Sequence, residues 1–316
     1  MTVGAFGDDL AVVRELGSRA DGRDWLQALP ALVADLARDW RLRIGAPWPE
    51  GRTAWTAPAV TSDGREVVLK VVWPHPEAAG EAAALTHWSG HGAVRLLRHD
   101  PSRWALLLSR CRPGVSLRDH DAPADVRLRT AATVLRRLWD VAPPTPPLPV
   151  HLVPELATVA ASWAALAESR LAATDGRHDP GLARHGIALL RSLPSVETSV
   201  MLHGDFNPGN VLSDAAAGWQ AIDAKPMLGD PAYDPWPLLT QLDAPFAAPD
   251  PAARLAERYR RFGALVGVAP QRLAAWSVAR TIEMALWQDH HGRHAEAAAA
   301  FGQASVLARV DERLPG

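Results

Sequence analysis

The sequence has few of the features that mark a secreted, membrane-bound or nucleic-acid-binding protein. It contains a single cysteine, Cys111, which excludes an intrachain disulfide framework and is typical of a reducing compartment. No apolar run approaches the roughly 20 residues needed to span a bilayer, and the first residues lack the basic and apolar regions of a signal peptide. The formal net charge of -2 gives no basic footprint for nucleic acid. We therefore expect a cytoplasmic protein without membrane or nucleic-acid partners.

Lysine is also scarce. The chain has 33 basic residues, and only Lys70 and Lys225 are lysines. A compositional bias toward arginine explains the scarcity, but a lysine that persists under such a bias is a candidate for a role that arginine cannot fill. Lysine carries a compact point charge, whereas the arginine guanidinium is a planar fork.

The apolar pattern divides the chain into two lobes. Before residue 111 it predicts a helix, a hairpin with an Asp63-Gly64 turn, a second helix and two more strands, whereas helical spacing dominates afterwards. We therefore predict an α+β fold, with a small antiparallel-sheet N-terminal lobe at 1–111 and a larger, mainly helical C-terminal lobe at 112–316. The predicted elements are helices at 25–40, 77–88, 125–141, 155–173 and 181–193, strands at 57–60, 66–73, 93–97, 104–108, 200–202 and 220–222, an extended proline-rich connector at 143–149, and helices and loops from 233 onward.

The segment from His203 to Asp223 carries the clearest chemical signal. Asp205 is followed five residues later by Asn210 and thirteen residues after that by Asp223, in a setting of short apolar runs. Phosphoryl transfer needs a carboxylate that accepts a hydroxyl proton, and an amide and a carboxylate that hold Mg²⁺. Taken alone, Asp205 would be better explained as an Asx-turn aspartate in a Gly- and Pro-rich loop, but Asn210 and Asp223 at these spacings favour the catalytic role. His203 could ligate a metal with Asp205, but the absence of a second histidine at ligand spacing favours a role in shaping the loop.

The two lysines have separate candidate roles. Lys70 lies inside the apolar run at 67–72, where an unpaired ammonium is costly to bury. Phosphate oxygens and a carboxylate would offset that cost; Glu81 is the favoured partner and Glu77 its competitor, while the alternative is a lysine that faces solvent. Lys225 either approaches a phosphate or caps its loop. The sequence contains no glycine-rich loop of the Gly-x-Gly-x-x-Gly or Walker type.

These motifs resemble those of the aminoglycoside phosphotransferase superfamily, whose fold is like that of eukaryotic protein kinases. The loop from His203 to Asn210 matches its catalytic motif. The stretch at 222–237, IDAKPMLGDPAYDPWP, is most similar to the aminoglycoside/hydroxyurea antibiotic-resistance kinases, the group that contains streptomycin 6-phosphotransferase. Further similarity at 25–33, 63–70 and 92–100 extends the resemblance over most of the chain.

The resemblance implies a kinase that uses ATP and Mg²⁺ to phosphorylate a small-molecule hydroxyl. Asp205 would be the catalytic base, Asn210 and Asp223 the magnesium ligands, and Lys70 the contact to the nucleotide phosphates. The remaining nucleotide-site residues would be Glu81 as partner of Lys70, Lys225, and Ser109 and Cys111 in the hinge that receives adenine. Two departures stand out: Ser109 replaces a residue that is often acidic in relatives, and only eleven residues separate Lys70 from Glu81, so the helix with Glu81 must be short or differently placed.

The acceptor is the less determined part of the prediction. Streptomycin-like acceptors carry guanidinium groups, which carboxylates and aromatic rings bind. The candidate contacts in the C-terminal lobe are Asp234, Trp236, Asp243, Glu283, Trp287 and Asp289. The structural alternative is that Asp234 braces the catalytic loop and the tryptophans belong to the core.

Several functions remain open beside the streptomycin kinase. The acceptor could be hydroxyurea, another antibiotic or a host metabolite, and a different class would be a nucleotide-binding pseudokinase. Retention of Lys70, Asp205, Asn210 and Asp223 argues against the pseudokinase. We expect a monomer or weak dimer.

Overall fold

The N-terminal part of the molecule is a five-stranded antiparallel sheet with helices around it. The computed structural model describes residues 10–174, 176–195, 198–311, 313 and 314. The elements of this part are α1 (Ala11–Leu16), α2 (Ala20–Asp39), β1 (Leu42–Ile44), β2 (Ala54–Thr61), β3 (Glu66–Val72), α3 (Glu81–Trp88), β4 (Leu96–Asp100) and β5 (Ala105–Ser109). The strand order is β1-β2-β3-β5-β4, so the predicted hairpin of β2 and β3 forms two neighbouring strands of the sheet.

The rest of the described chain is mainly helical. Its helices are α4 (Ala124–Trp139), α5 (Leu156–Ala172), α6 (Pro180–Ser192), α7 (Trp236–Gln241), α8 (Pro251–Val266), α9 (Pro270–His290) and α10 (His294–Asp311). Its strands are β6 (Pro113–Ser116), β7 (Val200–Leu202), β8 (Val211–Asp214), β9 (Gly218–Ala221) and β10 (Met227–Gly229). They form two small sheets of order β6-β8-β9 and β10-β7. The predicted α+β class is confirmed, and the lobe boundary between residues 111 and 112 stays a prediction.

Strand β3 sends alternate side chains to opposite faces of the sheet. Val67, Leu69 and Val71 are buried in a core shared with α1 and α2. Because side chains alternate along a strand, Lys70 points to the other face, where Val68 packs against the large core of the helical part. This alternation directs the ammonium of a buried lysine toward the junction of the two parts.

The helix predicted at 77–88 begins later, at Glu81. The residues Pro76–Ala78 form a 3₁₀ turn instead. Gly80 then approaches another segment so closely that a β-carbon there would lie 2.0 Å from the carbonyl oxygen of Leu152. The late start of this helix explains how Glu81 can pair with Lys70 although only eleven residues separate them, because Glu81 is the first residue of the helix.

The strand predictions differ from the structure at several ends. The strand expected at 93–97 begins only at Leu96, because Ala93 pairs as an isolated bridge with Ala221 far along the chain. Strands β1, β6, β8 and β10 were not predicted. Each has three or four residues, and a segment of this length carries little pattern to separate a strand from a loop, although the equally short β7 and β9 were predicted.

None of the helices within the described ranges has the length and apolar character that crossing a membrane requires.

A glycine pair tests how tightly α6 packs against α9. A β-carbon at Gly186 would lie 2.7 Å from the Cβ and Cγ1 atoms of Ile282, whereas one at Gly302 on α10 meets nothing within 4 Å. Gly302→Ala should raise the free energy of unfolding by up to about 1 kcal/mol, because alanine has the better helix propensity. Gly186→Ala should lower it by about 1–3 kcal/mol through overpacking. Urea unfolding measures both, and stabilisation by Gly186→Ala would contradict the packing.

Candidate functional site

Lys70 and Glu81 form a buried ion pair. The Lys70 Nζ lies 2.8 Å from Oε1 and 2.7 Å from Oε2 of Glu81, and both side chains are buried. Burial opposes the charge on Lys70, but the carboxylates of Asp223 and Glu81 outweigh it and raise the pKa of the ammonium. Burial raises the pKa of Glu81, although Lys70 favours its ionised form. The alternative of a solvent-facing Lys70 is therefore wrong.

The same ammonium contacts Asp223, 153 residues further along the chain. Its Nζ lies 2.6 Å from Asp223 Oδ1. The charge of Lys70 lowers the pKa of Asp223 to about 2. The Asp223 backbone has a φ of 61°, in the left-handed region that aspartate tolerates better than most residues. Sequence reasoning missed this contact.

The catalytic-type loop at 203–210 is joined to the segment at 222–225 by main-chain hydrogen bonds. The Lys225 N–H donates to the His203 carbonyl at 2.8 Å, and the Ile222 N–H donates to the Asn210 carbonyl at 2.9 Å. These bonds bring Asn210 beside the residue that precedes Asp223.

His203 has a structural position. Its ring is fully buried, and Nε2 lies 2.9 Å from the Ile222 carbonyl oxygen. Burial lowers the pKa of the imidazole, so the ring is neutral near pH 7. These contacts favour the role in shaping the loop over metal ligation.

The Asp234 carboxylate holds the main chain of the catalytic-type loop. Its Oδ2 accepts hydrogen bonds from the His203 N–H at 2.9 Å and the Trp139 indole N–H at 3.0 Å, and its Oδ1 accepts from the Gly204 N–H at 2.8 Å. The side chain is buried, and this burial raises its pKa. The geometry supports bracing, the alternative considered for Asp234, and does not favour the predicted contact with the acceptor.

Asp205 is held but accessible. Its Oδ1 accepts from Asn207 Nδ2 at 3.2 Å, and its Oδ2 lies 3.2 Å from Lys225 Nζ. The Asn210 Nδ2 donates to the main-chain carbonyl of Asp205 at 3.0 Å. About a third of the Asp205 side chain is exposed, 29%, so a hydroxyl can approach it.

Both lysines of the chain therefore contact carboxylates of this site. Lys225 Nζ bridges Asp205 and Glu77, the latter at 3.7 Å. Burial opposes its charge, but Asp205 and Glu77 raise the pKa of the ammonium. Glu77, the competing partner for Lys70, thus lies next to Lys225 instead. The scarcity of lysine in the sequence had marked both residues as candidates for a specific role.

Asn210 and Asp223 carry the kind of oxygen donors that Mg²⁺ prefers, and their role as its ligands stays a prediction. The Asn210 amide nitrogen is engaged by the Asp205 carbonyl, which orients the amide oxygen away from it, and half of the Asp223 side chain is exposed. Mg²⁺ typically takes one or two protein oxygens and completes its shell with phosphates and water. Within the described ranges, no group of three or more His, Cys, Asp or Glu residues has the arrangement of a metal site.

The two predicted hinge residues lie where β5 ends. Ser109 exchanges two hydrogen bonds with Arg95: its N–H donates to the Arg95 carbonyl at 2.9 Å, and its Oγ accepts from the Arg95 N–H at 2.9 Å. Burial, with a smaller effect of Asp214, raises the pKa of the Cys111 thiol to about 12. Their contact with adenine stays a prediction.

The acceptor candidates fall into separate groups. Trp236 and Glu283 both contact Arg280, a residue that sequence reasoning missed and whose i, i+3 spacing from Glu283 was a usable signal. Trp287 packs on His291. The Asp289 carboxylate accepts from Arg177 at 2.9 Å, and Asp243 pairs with Arg127.

Comparison with known proteins places these features in a family. A family model described as aminoglycoside/hydroxyurea antibiotic resistance kinase matches residues 40–292. A hydroxyurea phosphotransferase from Kitasatospora aureofaciens is 34% identical over 291 residues, which are 91% of this chain and 81% of that protein. A streptomycin 6-kinase from Streptomyces glaucescens is 32% identical over 291 residues, 91% of this chain and 92% of that protein.

The fold is also found among solved structures. A spectinomycin phosphotransferase in complex with ADP and spectinomycin aligns with a TM-score of 0.56 at 13% identity, covering 89% of this chain and 98% of that one. The predicted protein-kinase-like fold is confirmed by this likeness.

Two glycines test how closely the loop is packed. Gly204 and Gly218 have φ angles of 82° and 75°, but only at Gly204 would a β-carbon collide, 1.8 Å from the Lys225 carbonyl oxygen. Gly218→Ala should cost about 1–2 kcal/mol of unfolding free energy for the left-handed backbone. Gly204→Ala should cost more, about 3 kcal/mol or above. Equal losses in urea unfolding would show that the two segments do not pack as described.

Proposed function

The chain belongs to the aminoglycoside/hydroxyurea antibiotic resistance kinase family and is thus a small-molecule kinase with a hydroxyl acceptor, and we propose that it transfers the γ-phosphoryl group of ATP to a streptomycin-type aminoglycoside. The proposal includes dependence on Mg²⁺ and a cytoplasmic location, where ATP is available. The acceptor would be inactivated as an antibiotic by the added phosphate.

One observation carries the proposal: Lys70 joins the two halves of the site. Its ammonium contacts Glu81 from the sheet-containing part and Asp223 from the helical part. Asp223 is in turn connected through Ile222 to Asn210, whose amide contacts the Asp205 main chain. The proposed phosphate contact, the two proposed metal ligands and the proposed base therefore belong to one connected network, and this proximity supports phosphoryl transfer.

Asp205 is proposed as the catalytic base. A bond forms between the acceptor oxygen and the γ-phosphorus as the bond from that phosphorus to the leaving oxygen of ADP breaks, and the hydroxyl proton passes to the Asp205 carboxylate. The amide of Asn207 at 3.2 Å from Oδ1 orients the carboxylate. Oδ2 is shared with Lys225, so both oxygens are positioned before the acceptor arrives.

The proposed roles of the two lysines, Asn210 and Asp223 follow from the charge of ATP and its phosphates. Lys70, kept protonated and fixed by Glu81, would contact the nucleotide phosphates. Asn210 and Asp223 would hold Mg²⁺, which supplies neutralisation of phosphate charge when bound. Lys225 would add a second ammonium near the transferred group, a proposal supported by its position beside Asp205.

Replacing the base tests the reaction. Asp205→Asn removes the proton acceptor but keeps the size of the side chain, so kcat should fall by about 100- to 10,000-fold while nucleotide affinity changes little. ATP consumption coupled to acceptor phosphorylation measures kcat, and EDTA should abolish turnover of the wild type. The matched control is Asp119→Asn, which alters an exposed aspartate bonded to Ser116 and should retain wild-type turnover. Normal turnover of Asp205→Asn would refute the base assignment.

Hydroxyurea is the second candidate acceptor. It is favoured by the relative at 34% identity, a hydroxyurea phosphotransferase. The two acceptors differ in chemistry, because streptomycin is a large guanidinium cation and hydroxyurea is small and uncharged. An assay with both therefore separates the candidates.

An acceptor panel tests the substrate proposal. Streptomycin should stimulate ADP release from wild-type enzyme with MgATP, and mass spectrometry should detect one added phosphoryl group on streptomycin. Hydroxyurea and spectinomycin serve as comparison acceptors, and Asp205→Asn enzyme corrects for background ATP hydrolysis. Turnover with hydroxyurea and none with streptomycin would replace the leading acceptor.

A further inference from the structure

Three aromatic rings surround the guanidinium of Arg280. Its Cζ lies 3.7 Å from the ring centroid of Trp163, 5.2 Å from that of Trp236 and 5.7 Å from that of Tyr233. All three distances are within the roughly 6 Å over which a cation is attracted to a ring face. We call Trp163, Tyr233 and Trp236 the aromatic cage.

A carboxylate completes the surroundings of this guanidinium. Glu283 Oε2 lies 3.0 Å from Arg280 NH1, and Glu283 Oε1 lies 3.2 Å from Arg170 NH1. One oxygen of Glu283 would therefore be free for another cation if Arg280 moved away, while Arg170 would keep the second oxygen oriented. Rings and a carboxylate together are the chemistry that binds an organic cation.

The cage lies beside the catalytic loop. Tyr233 and Trp236 flank Asp234 in sequence, and Asp234 holds the main-chain N–H of Gly204, the residue before Asp205. Trp163 and Trp236 are only partly buried, and 13% of the Arg280 side chain is exposed, so part of the cage reaches solvent. Burial raises the pKa of Tyr233 to about 12, and the Asp205 carboxylate contributes to this rise through space, so the cage lies near the base candidate.

Arg280 is incompletely satisfied in the cage. Its side chain is mostly buried, with 13% exposed. Within the described part of the chain, its buried Nε has no hydrogen-bond partner. Buried donors are normally paired, so a guanidinium held by rings and one carboxylate oxygen is less costly to displace than a fully bonded one.

We propose that the aromatic cage and Glu283 form a subsite for a guanidinium group of the acceptor, and that Arg280 fills this subsite until the acceptor displaces it. This inference rests on the proposed function, because it assigns part of the acceptor site. Arg280 is then a specificity-determining residue: it lowers affinity for cationic acceptors by competing with them and has no such effect on a neutral acceptor.

Calorimetric binding of streptomycin without ATP tests the competition. Arg280→Met keeps an unbranched apolar side chain but removes the competing cation, so streptomycin should bind about tenfold more tightly than to wild type, which is about 1.4 kcal/mol. Arg280→Lys keeps a cation that lacks the planar fork and should give a smaller gain. Hydroxyurea binding should show no gain in either variant.

The control is Arg19→Met, which removes a guanidinium 4.5 Å from the Trp73 ring, outside the cage. It should leave streptomycin affinity at the wild-type value. Equal or weaker binding of streptomycin by folded Arg280→Met would overturn the proposal. If Arg280→Met loses cooperative unfolding, Arg280→Lys decides, and equal or weaker binding by that variant overturns it.

Methylguanidinium separates failure of the subsite from failure of the proposed acceptor. If neither wild type nor any variant binds streptomycin, the streptomycin assignment is wrong. In that case methylguanidinium should still raise the unfolding temperature of Arg280→Met, or of Arg280→Lys if that is the folded variant, and not that of wild type. Absence of this difference would refute the subsite as well.

Discussion

The site depends on one buried ammonium, that of Lys70. A lone cation at this depth would be expensive, because burial in a low-dielectric interior removes its hydration. Glu81 and Asp223 offset that cost from two sides, at 2.7 and 2.6 Å. Since Glu81 begins α3 and Asp223 follows β9, satisfying a single charge brings the sheet-containing part and the helical part together at the place where phosphate would bind.

Around this charge, the catalytic-type loop is positioned by main-chain hydrogen bonds and one buried carboxylate. Asp234 accepts the N–H groups of His203 and Gly204, and the carbonyl of His203 accepts the N–H of Lys225. Because His203 is neutral and buried, it fills space and bonds the backbone without adding a competing charge. The loop thus presents Asp205 in a defined position. The charged side chains around it form two groups, Lys70 with Glu81 and Asp223, and Lys225 with Asp205 and Glu77.

The acidic residues considered for acceptor binding differ from those around Lys70, because arginines rather than lysines neutralise them. Acidic residues suited to bind a cationic acceptor already have arginine partners in the protein: Glu283 pairs with Arg280 and Arg170, and Asp289 with Arg177. Their negative charge is therefore neutralised within the fold. In the proposed subsite, selectivity among acceptors would depend on exchange between the Arg280 guanidinium and that of the acceptor, and hence on how well each is desolvated and paired.

Sequence patterns predicted the elements that are long or alternating. The β2–β3 hairpin followed from two apolar runs around an Asp-Gly turn, and helices α2, α4, α5 and α6 followed from their apolar spacing. Helices α8, α9 and α10 were predicted only as helices and loops after residue 233. Strands β1, β6, β8 and β10 were missed, because three or four residues carry little pattern to separate a strand from a loop, although β7 and β9 of the same length were predicted. The start of α3 was placed four residues early, because the close approach of Gly80 to Leu152 is a contact between distant segments.

The amino-acid sequence by itself determined the fold class and the reaction type, because the spacing of Asp205, Asn210 and Asp223 and the solitary Lys70 in an apolar strand are local properties. Tertiary structure alone decided which groups form ion pairs and cation–π contacts. Lys70 contacts Asp223 as well as Glu81, Glu77 lies beside Lys225, and Arg280 occupies an aromatic cage. The physical reason is that ion pairs and cation–π contacts depend on distance in space and on burial. Neither is encoded in any short window of the chain.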